Sequence, residues 1–180
     1  MDHYVTNLNN SERKMLRHTL ALAAVVGFSS ASYATEVPIT GTVQSKCSIY
    51  TDTAGIYGSP TPDKLSTAPA DGGVHPIIRV DVSVANYYLA RISTPTSFST
   101  SPTLNDVVNF TGATTVHQVS DAGMSAYETN KVTYNNVTEF DLTIAGTVWL
   151  KSTSTAEYGV DKSFPGGTYR AVVLAECIAK

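Results

Sequence analysis

The chain has 180 residues, a length that suits one domain with its own hydrophobic core. Its 12 Lys and Arg stand against 15 Asp and Glu, and the formal net charge of −3 argues against a nucleic-acid-binding protein, which needs a basic surface. Only 15% of the residues are charged, while Thr, Ser, Val, Ala and Tyr are abundant. Thr, Val and Tyr fit the pleated, half-buried surface of a β-sheet.

Within the first 34 residues, the sequence shows the three parts of an export leader, which are a basic start, an apolar run and a cleavage site. A basic start is followed by an apolar run at residues 20–28, which is too short to span a bilayer as a stable helix. Small residues that a signal peptidase reads, Ser32 and Ala34, come next. We therefore predict a secretory signal peptide over residues 1–34, with Met15 as a second candidate start.

Apolar residues recur with a period of two wherever a period is clear, which predicts strands. The alternating runs lie at residues 37–43, 80–84, 88–92, 142–150 and 169–177. The last run is apolar on both faces apart from Arg170 and Glu176. We therefore expect it to be a central or sandwiched strand and not an exposed edge.

Turns rich in Gly, Pro and Asn separate the predicted strands. Residues 58–73 are dense in turn-forming residues and are expected to form a long loop, while residues 122–131 are expected to form one helical turn at most. The sequence shows no internal repeat and no second domain. Several strands at this spacing predict a single all-β domain built as a β-sandwich.

The two cysteines, Cys47 and Cys177, stand near opposite ends of the predicted mature chain. In an exported protein such a pair is a candidate disulfide, and the alternative is that both thiols stay reduced and buried. A bridge would place the first and last strands side by side and close a loop of about 130 residues. In the chain-entropy model that closure is worth about 4–5 kcal/mol.

The remaining residues give no clear pattern for catalysis or for metal binding. His75 and His117 belong to no spaced cluster of metal-ligating residues, and neither a Gly-x-Ser-x-Gly motif nor a phosphate-binding glycine loop occurs. Glu139 and Asp141 share one strand face, but a solvated face is the favoured interpretation over a glycosidase pair. We expect no enzyme and no cofactor, with a small secreted hydrolase as the least favoured class.

Aromatic side chains suggest a second function. A set of tyrosines and one tryptophan could line a sugar-binding face, although such residues more often cap a sandwich core and its rims. The members of this set are Tyr87, Tyr88, Tyr127, Tyr134, Tyr158 and Trp149. The alternative function is therefore a secreted carbohydrate- or surface-binding β-sandwich module.

The two ends of the mature chain together resemble bacterial fimbrial subunits of the chaperone–usher type. Residues 39–49, ITGTVQSKCSI, look like that family's early strand, in which a Gly-x-Val stretch runs into a cysteine. Residues 166–173, GGTYRAVV, look like its closing signature. In that signature a glycine, here Gly167, is the fourteenth residue from the C-terminus and opens an alternating strand.

The resemblance implies an immunoglobulin-like sandwich that lacks its last strand and is completed by a donor strand from another subunit. A periplasmic chaperone fills the open groove first, an outer-membrane usher assembles the subunits, and the N-terminal extension of the next subunit then inserts by strand addition. Head-to-tail donation does not close on itself and yields a filament. The expected function is a structural fimbrial subunit at the cell surface that supports adhesion, with like subunits and a host or surface receptor as partners.

The resemblance also assigns parts of this chain to roles in that exchange. Residues 35–42 would be the N-terminal extension and residues 43–180 the sandwich domain. The donor residues would be Val37, Ile39, Gly41 and Val43, and the acceptor residues would be Gly167, Tyr169, Ala171 and Val173. A bridge between Cys47 and Cys177 would then hold the walls of the groove in place while a partner strand enters.

Overall fold

The computed structural model describes residues 38–41 and 47–180. The chain divides into two units, Met1–Gly41 and Thr42–Lys180, and every strand named below belongs to the second. In the first unit, residues 38–41 have no regular secondary structure. The predicted signal peptide lies outside the described residues, as do Val37 and Val43.

The described part of the second unit is built almost wholly of strands. Its twelve strands are β1 (Cys47–Thr53), β2 (Gly58–Thr61), β3 (Lys64–Ser66), β4 (Ile77–Val82), β5 (Tyr88–Ser93), β6 (Val108–Thr111), β7 (Thr114–Val119), β8 (Val132–Tyr134), β9 (Val137–Leu142), β10 (Gly146–Ser152), β11 (Thr155–Tyr158) and β12 (Leu174–Ala179). A 3₁₀ segment at Ala122–Ala126 leads into the single-turn helix α1 (Tyr127–Asn130). The predicted helical turn is therefore confirmed.

The strands form three antiparallel sheets of four strands each. The strand order is β1-β4-β10-β7 in the first sheet, β2-β3-β11-β6 in the second and β12-β5-β9-β8 in the third. Only two residues separate β6 from β7, and only two separate β10 from β11. The second sheet is thus a continuation of the first along the chain.

The core lies between the inner faces of the first and third sheets. Successive side chains of a strand point to opposite faces, so Val80 in β4 and Val148 in β10 point inward from the first sheet. Ile92 in β5 and Phe140 in β9 point inward from the third sheet, and all four are at most 1% exposed. Burying each such side chain contributes about 1.5–3 kcal/mol. The predicted all-β sandwich is confirmed.

Three expectations about the strands were wrong. The run at 142–150 is not one strand, because β9 ends at Leu142 and β10 begins at Gly146 after a turn that keeps the same period of two. Residues 58–73 are not one long loop, because they contain β2 and β3. The proline in β2 is tolerated because this strand lies at a sheet edge. The run at 169–177 is not a central strand. The closing strand β12 spans Leu174–Ala179 and lies at the edge of the third sheet.

Cys47 and Cys177 form a disulfide that joins the first strand to the last, with their Cα atoms 6.1 Å apart. Such a bridge was expected to place these two strands side by side. They approach each other, but they do not pair in one sheet. β1 pairs with β4 in the first sheet, and β12 pairs with β5 in the third. The bridge therefore links the two layers of the sandwich along one of its sides.

Replacing both cysteines by serine should lower the free energy of unfolding by about 2–5 kcal/mol, because the bridge closes a long loop in the unfolded chain. Urea unfolding of the oxidised protein and of Cys47→Ser/Cys177→Ser measures the difference. The wild-type protein under reducing conditions is the control and should unfold with the variant. A variant as stable as the oxidised protein would contradict the expectation.

Candidate functional site

The sandwich is open along the side where β1 and β12 lie. Among the described strands, β1 pairs only with β4 and β12 only with β5, so each keeps one backbone edge without a partner strand. Ile49, Val173 and Ala175 contact the core from this side but are only partly buried. Ala90 and Ile92 in the neighbouring strand β5 are fully buried. The core is therefore incompletely covered where the two edges face each other.

The opposite edge of the first sheet, β7, is partly covered by side chains. The free edge of β7 faces α1, where the Val116 N–H donates to Oε2 of Glu128 over 2.7 Å. Nζ of Lys131 donates to the Thr114 carbonyl over 3.0 Å and also pairs with Glu128. Side chains thus satisfy backbone groups that another strand would otherwise bind, which is one way that proteins protect sheet edges.

A groove of about 550 Å³ lies on the open side, between the end of β1 and the segment that precedes β12. One wall is formed by Thr51 and residues 54–57, and the other by residues 169–173. Ile78 and Ser154 also line the groove and are themselves 7% and 3% exposed. The groove therefore reaches from the surface to the rim of the core.

Three of the four predicted acceptor residues, Tyr169, Ala171 and Val173, line this groove. All three precede β12, which begins at Leu174, and residues 171–173 belong to no strand. No backbone hydrogen bond outside the strands involves any of these three positions in the part of the chain that the structure describes. The segment therefore offers free backbone groups beside an open groove. Its role as an acceptor stays a prediction.

An aromatic cluster holds the start of this wall in place. The ring of Tyr169 lies 5.1 Å from those of Phe98 and Phe164, in edge-to-face arrangements, and its hydroxyl donates to the Pro165 carbonyl over 2.6 Å. Such aromatic pairs contribute about 0.5–1.5 kcal/mol beyond their buried area. Phe98 and Phe164 could not be found from the sequence, because neither lies in a stretch with a hydrophobic period.

Arg170 and Gly167 complete the fixed part of this wall. The Arg170 N–H donates to the Thr100 carbonyl over 2.8 Å, and the Arg170 carbonyl accepts from the N–H groups of Ser99 and Thr100. Gly167 has φ +155°, and a Cβ built there would lie 2.4 Å from Cγ of Pro102. The chain reaches the groove through a position that only glycine fills without displacing its neighbour.

The groove carries little charge. Among the described residues that line it, only Arg170 is formally charged. The Tyr57 hydroxyl and Oγ of Ser154 lie 2.7 Å apart and share a hydrogen bond. Burial raises the pKa of Tyr57, and this hydrogen bond offsets part of the rise. Burial also raises the pKa of Tyr169. Both hydroxyls therefore stay neutral at physiological pH, and the lining suits an uncharged, partly apolar occupant.

The predicted donor residues do not form a strand in the described part of the chain. Ile39 and Gly41 lie in the irregular stretch at residues 38–41, and Val37 and Val43 are outside the described residues. Their role as a donor strand stays a prediction.

Glu139 and Asp141 lie on the outer face of the third sheet, and both are held in ion pairs. Glu139 accepts hydrogen bonds from the Tyr134 hydroxyl and from Nε of Arg91, each over 2.8 Å. These two bonds hold the pKa of the Glu139 carboxyl below its usual value. Asp141 pairs with Lys180. A glycosidase needs one carboxyl with a raised pKa to act as its acid, and Glu139 is shifted the other way.

The other candidates from the sequence are dispersed. Nδ1 of His75 lies 3.2 Å from Oγ1 of Thr67, and His117 lies in β7. No group of three His, Cys, Asp or Glu residues suited to a metal ion is found within the described residues. Nor does any helix of that part of the chain have the length and apolar character needed to cross a membrane.

The aromatic set proposed for sugar binding does not form one face. Tyr127 and Tyr158 are 3% and 5% exposed and belong to the interior. Tyr134 lies in β8 of the third sheet, whereas Trp149 lies on the outer face of β10 in the first sheet. The structure therefore places these residues on different parts of the sandwich.

No protein-family model, curated protein or solved structure matches this chain. The groove is therefore interpreted from its own residues and geometry.

Gly167→Ala should destabilise the protein by about 1–3 kcal/mol, because the new methyl group overlaps Pro102 and the backbone conformation is one that side chains disfavour. Gly166→Ala is the matched control, since a Cβ at that neighbouring position meets nothing within 4 Å. Thermal unfolding of both variants measures the effect. Equal stability of the two variants would show that the close approach at Gly167 is unimportant.

The Glu139 carboxyl should titrate below the ordinary glutamate value of about 4.3. Because its folded pKa is lowered, its contribution to stability is present above the unfolded pKa and is lost as pH falls through the folded pKa. Glu139→Gln should therefore be less stable than wild type at neutral pH, with the difference fading in acid. NMR titration and urea unfolding at several pH values measure both effects.

Glu157→Gln is the control for that substitution. Glu157 is exposed and takes part in none of the ion pairs found among the described residues. A Glu139 carboxyl that titrates at or above about 4.3 would contradict the expectation.

Proposed function

We propose that this chain is a structural subunit of a bacterial surface fimbria. It polymerises head to tail when the N-terminal extension of one copy adds as a strand to the open groove of the next. The observation that carries the proposal is the groove itself. It lies between the end of β1 and the segment that leads into β12, and it reaches the rim of the core. Within the described part of the chain, residues 171–173 of its wall make no backbone hydrogen bond outside the strands.

The chemistry of the groove fits an extended peptide better than a charged small molecule. Strand addition needs free backbone donors and acceptors on one wall and pockets for alternate side chains. Residues 171–173 supply the free backbone groups. The partly buried side chains of Ile49, Val173 and Ala175 leave room for side chains of the added strand. Ile56 and Val172 on the two walls are 58% and 50% exposed, so an apolar strand would bury surface that is now open to water.

The proposed occupant is residues 35–43 of a like subunit. This segment has apolar or small residues at alternate positions, Val37, Ile39, Gly41 and Val43, so one face of an extended strand could enter the groove. An export leader ahead of it is consistent with assembly outside the cytoplasm, where the disulfide can form. By the same resemblance, a periplasmic chaperone and an outer-membrane usher would handle the subunit before it is incorporated.

Two complementary variants of the mature chain, residues 35–180, test this proposal. Ile39→Asp places a charge in the donor face, and Ala171→Arg fills the acceptor groove with a bulky cation. Each variant alone should stay monomeric, because one has no donor and the other has no acceptor. An equimolar mixture should form a one-to-one dimer that does not grow, since only one productive interface remains. Analytical ultracentrifugation distinguishes these species.

Val160→Arg is the matched control for the groove variant. Val160 is 85% exposed and does not line the groove, so this variant should polymerise like the wild type. Dimer formation in the mixture also shows that both variants are folded. If both variants polymerise as the wild type does, or if the mixture stays monomeric, strand exchange through this groove is wrong.

A further inference from the structure

The disulfide joins β1 to β12 on the same side of the sandwich as the groove, but neither cysteine lines the groove. Two strands that flank a third strand in one sheet lie about 9.5 Å apart, twice the spacing of neighbouring strands. The Cα atoms of Cys47 and Cys177 are only 6.1 Å apart. That separation is also smaller than the distance of about 10 Å between packed sheets. No strand can pass between β1 and β12 at the bridge.

The space for a strand therefore lies on one side of the bridge. At the other end of β1, Thr51 and residues 54–57 stand across the groove from residues 169–173. The free edge between this opening and Cys177 consists of residues 171–176, which is about 20 Å of strand at about 3.3 Å per residue. β12 supplies the second half of this stretch, and its other edge is already occupied by β5.

The two walls differ in their capacity to bind a strand. β1 carries an irregularity in which Thr51 pairs with Ile78 and Thr53 with Ile77, so Asp52 is an extra residue in the ladder. A bulge of this kind at a sheet edge disrupts further pairing. On the opposite side, Val172 of the groove wall and Leu174 of β12 are 50% and 53% exposed. Backbone pairing is therefore expected along residues 171–176 and not along β1.

We infer that the Cys47–Cys177 bridge is a stop that fixes how far a partner strand can be inserted. The inference rests on the proposed strand exchange and adds a limit to it. The partner is a short extended segment that pairs along residues 171–176 and ends before Cys177. Residues of the partner beyond this limit remain outside the groove, however long the segment is. The bridge thus sets the register of the interface as well as the stability of the subunit.

Synthetic peptides of two lengths test the stop on the oxidised mature protein. The short peptide has the sequence of residues 35–43, and the long peptides carry four more alternating Thr and Val residues at one end or the other. Hydrogen exchange measures the protection of the backbone amides of residues 171–179. Each peptide should slow exchange within residues 171–176 and leave Ile178 and Ala179 unchanged. The long peptides should bind no more than threefold tighter than the short one.

The Cys47→Ser/Cys177→Ser variant removes the stop. A long peptide should then bind it at least tenfold tighter than the short one, and protection should spread to Ile178 and Ala179. Protection of these two residues in the oxidised protein would overturn the inference while leaving strand exchange intact, and this reading does not depend on whether the variant folds. If no peptide slows exchange in residues 171–176, the inference and the proposed function both fail.

Discussion

The distance between the first and last strands governs the open side of this sandwich. A disulfide holds Cys47 and Cys177 together at one point, while the rest of β1 and the segment before β12 separate around a groove. The central strands β4, β5, β9 and β10 bury their inner faces almost completely, so the sandwich does not need the groove to be filled in order to have a core. Ile49, Val173 and Ala175 are among the partly buried residues that pack against that core, and they lie on the open side.

The β7 edge of the first sheet and the β12 edge of the third sheet differ in how they are covered. On the β7 side, Glu128 and Lys131 bind backbone groups that would otherwise invite another strand. On the β12 side no such cover is found among the described residues, and exposed apolar side chains lie beside unpaired backbone. Proteins commonly protect sheet edges, because free edges promote association. An edge that is left open next to a groove is therefore a candidate for a specific interaction.

Much of the fold could be predicted from the sequence, because a period of two survives wherever one face of a strand is buried. The runs at 80–84 and 88–92 correspond to β4 and β5. The run at 142–150 was wrongly predicted to be one strand, because the turn within it preserves the alternation of apolar residues. Leu142 and Val148 therefore enter the same core from opposite sheets. Three of the predicted acceptor residues line the groove, although they belong to no strand, and their role stays a prediction. The opposite wall and the anchor Phe98 were missed, because pairing between distant segments leaves no local pattern.

The bridge also determines how the domain would carry a pulling force. In a filament of the proposed kind, tension enters the domain through the N-terminal extension and reaches Cys47 at the start of β1. It leaves through the strand held at residues 171–176, next to Cys177. The covalent bond joins these two points directly, so the 129 residues between the cysteines lie outside the loaded path. Such a subunit would extend little before its non-covalent strand contact gives way, and the filament would yield between subunits while each sandwich stays folded.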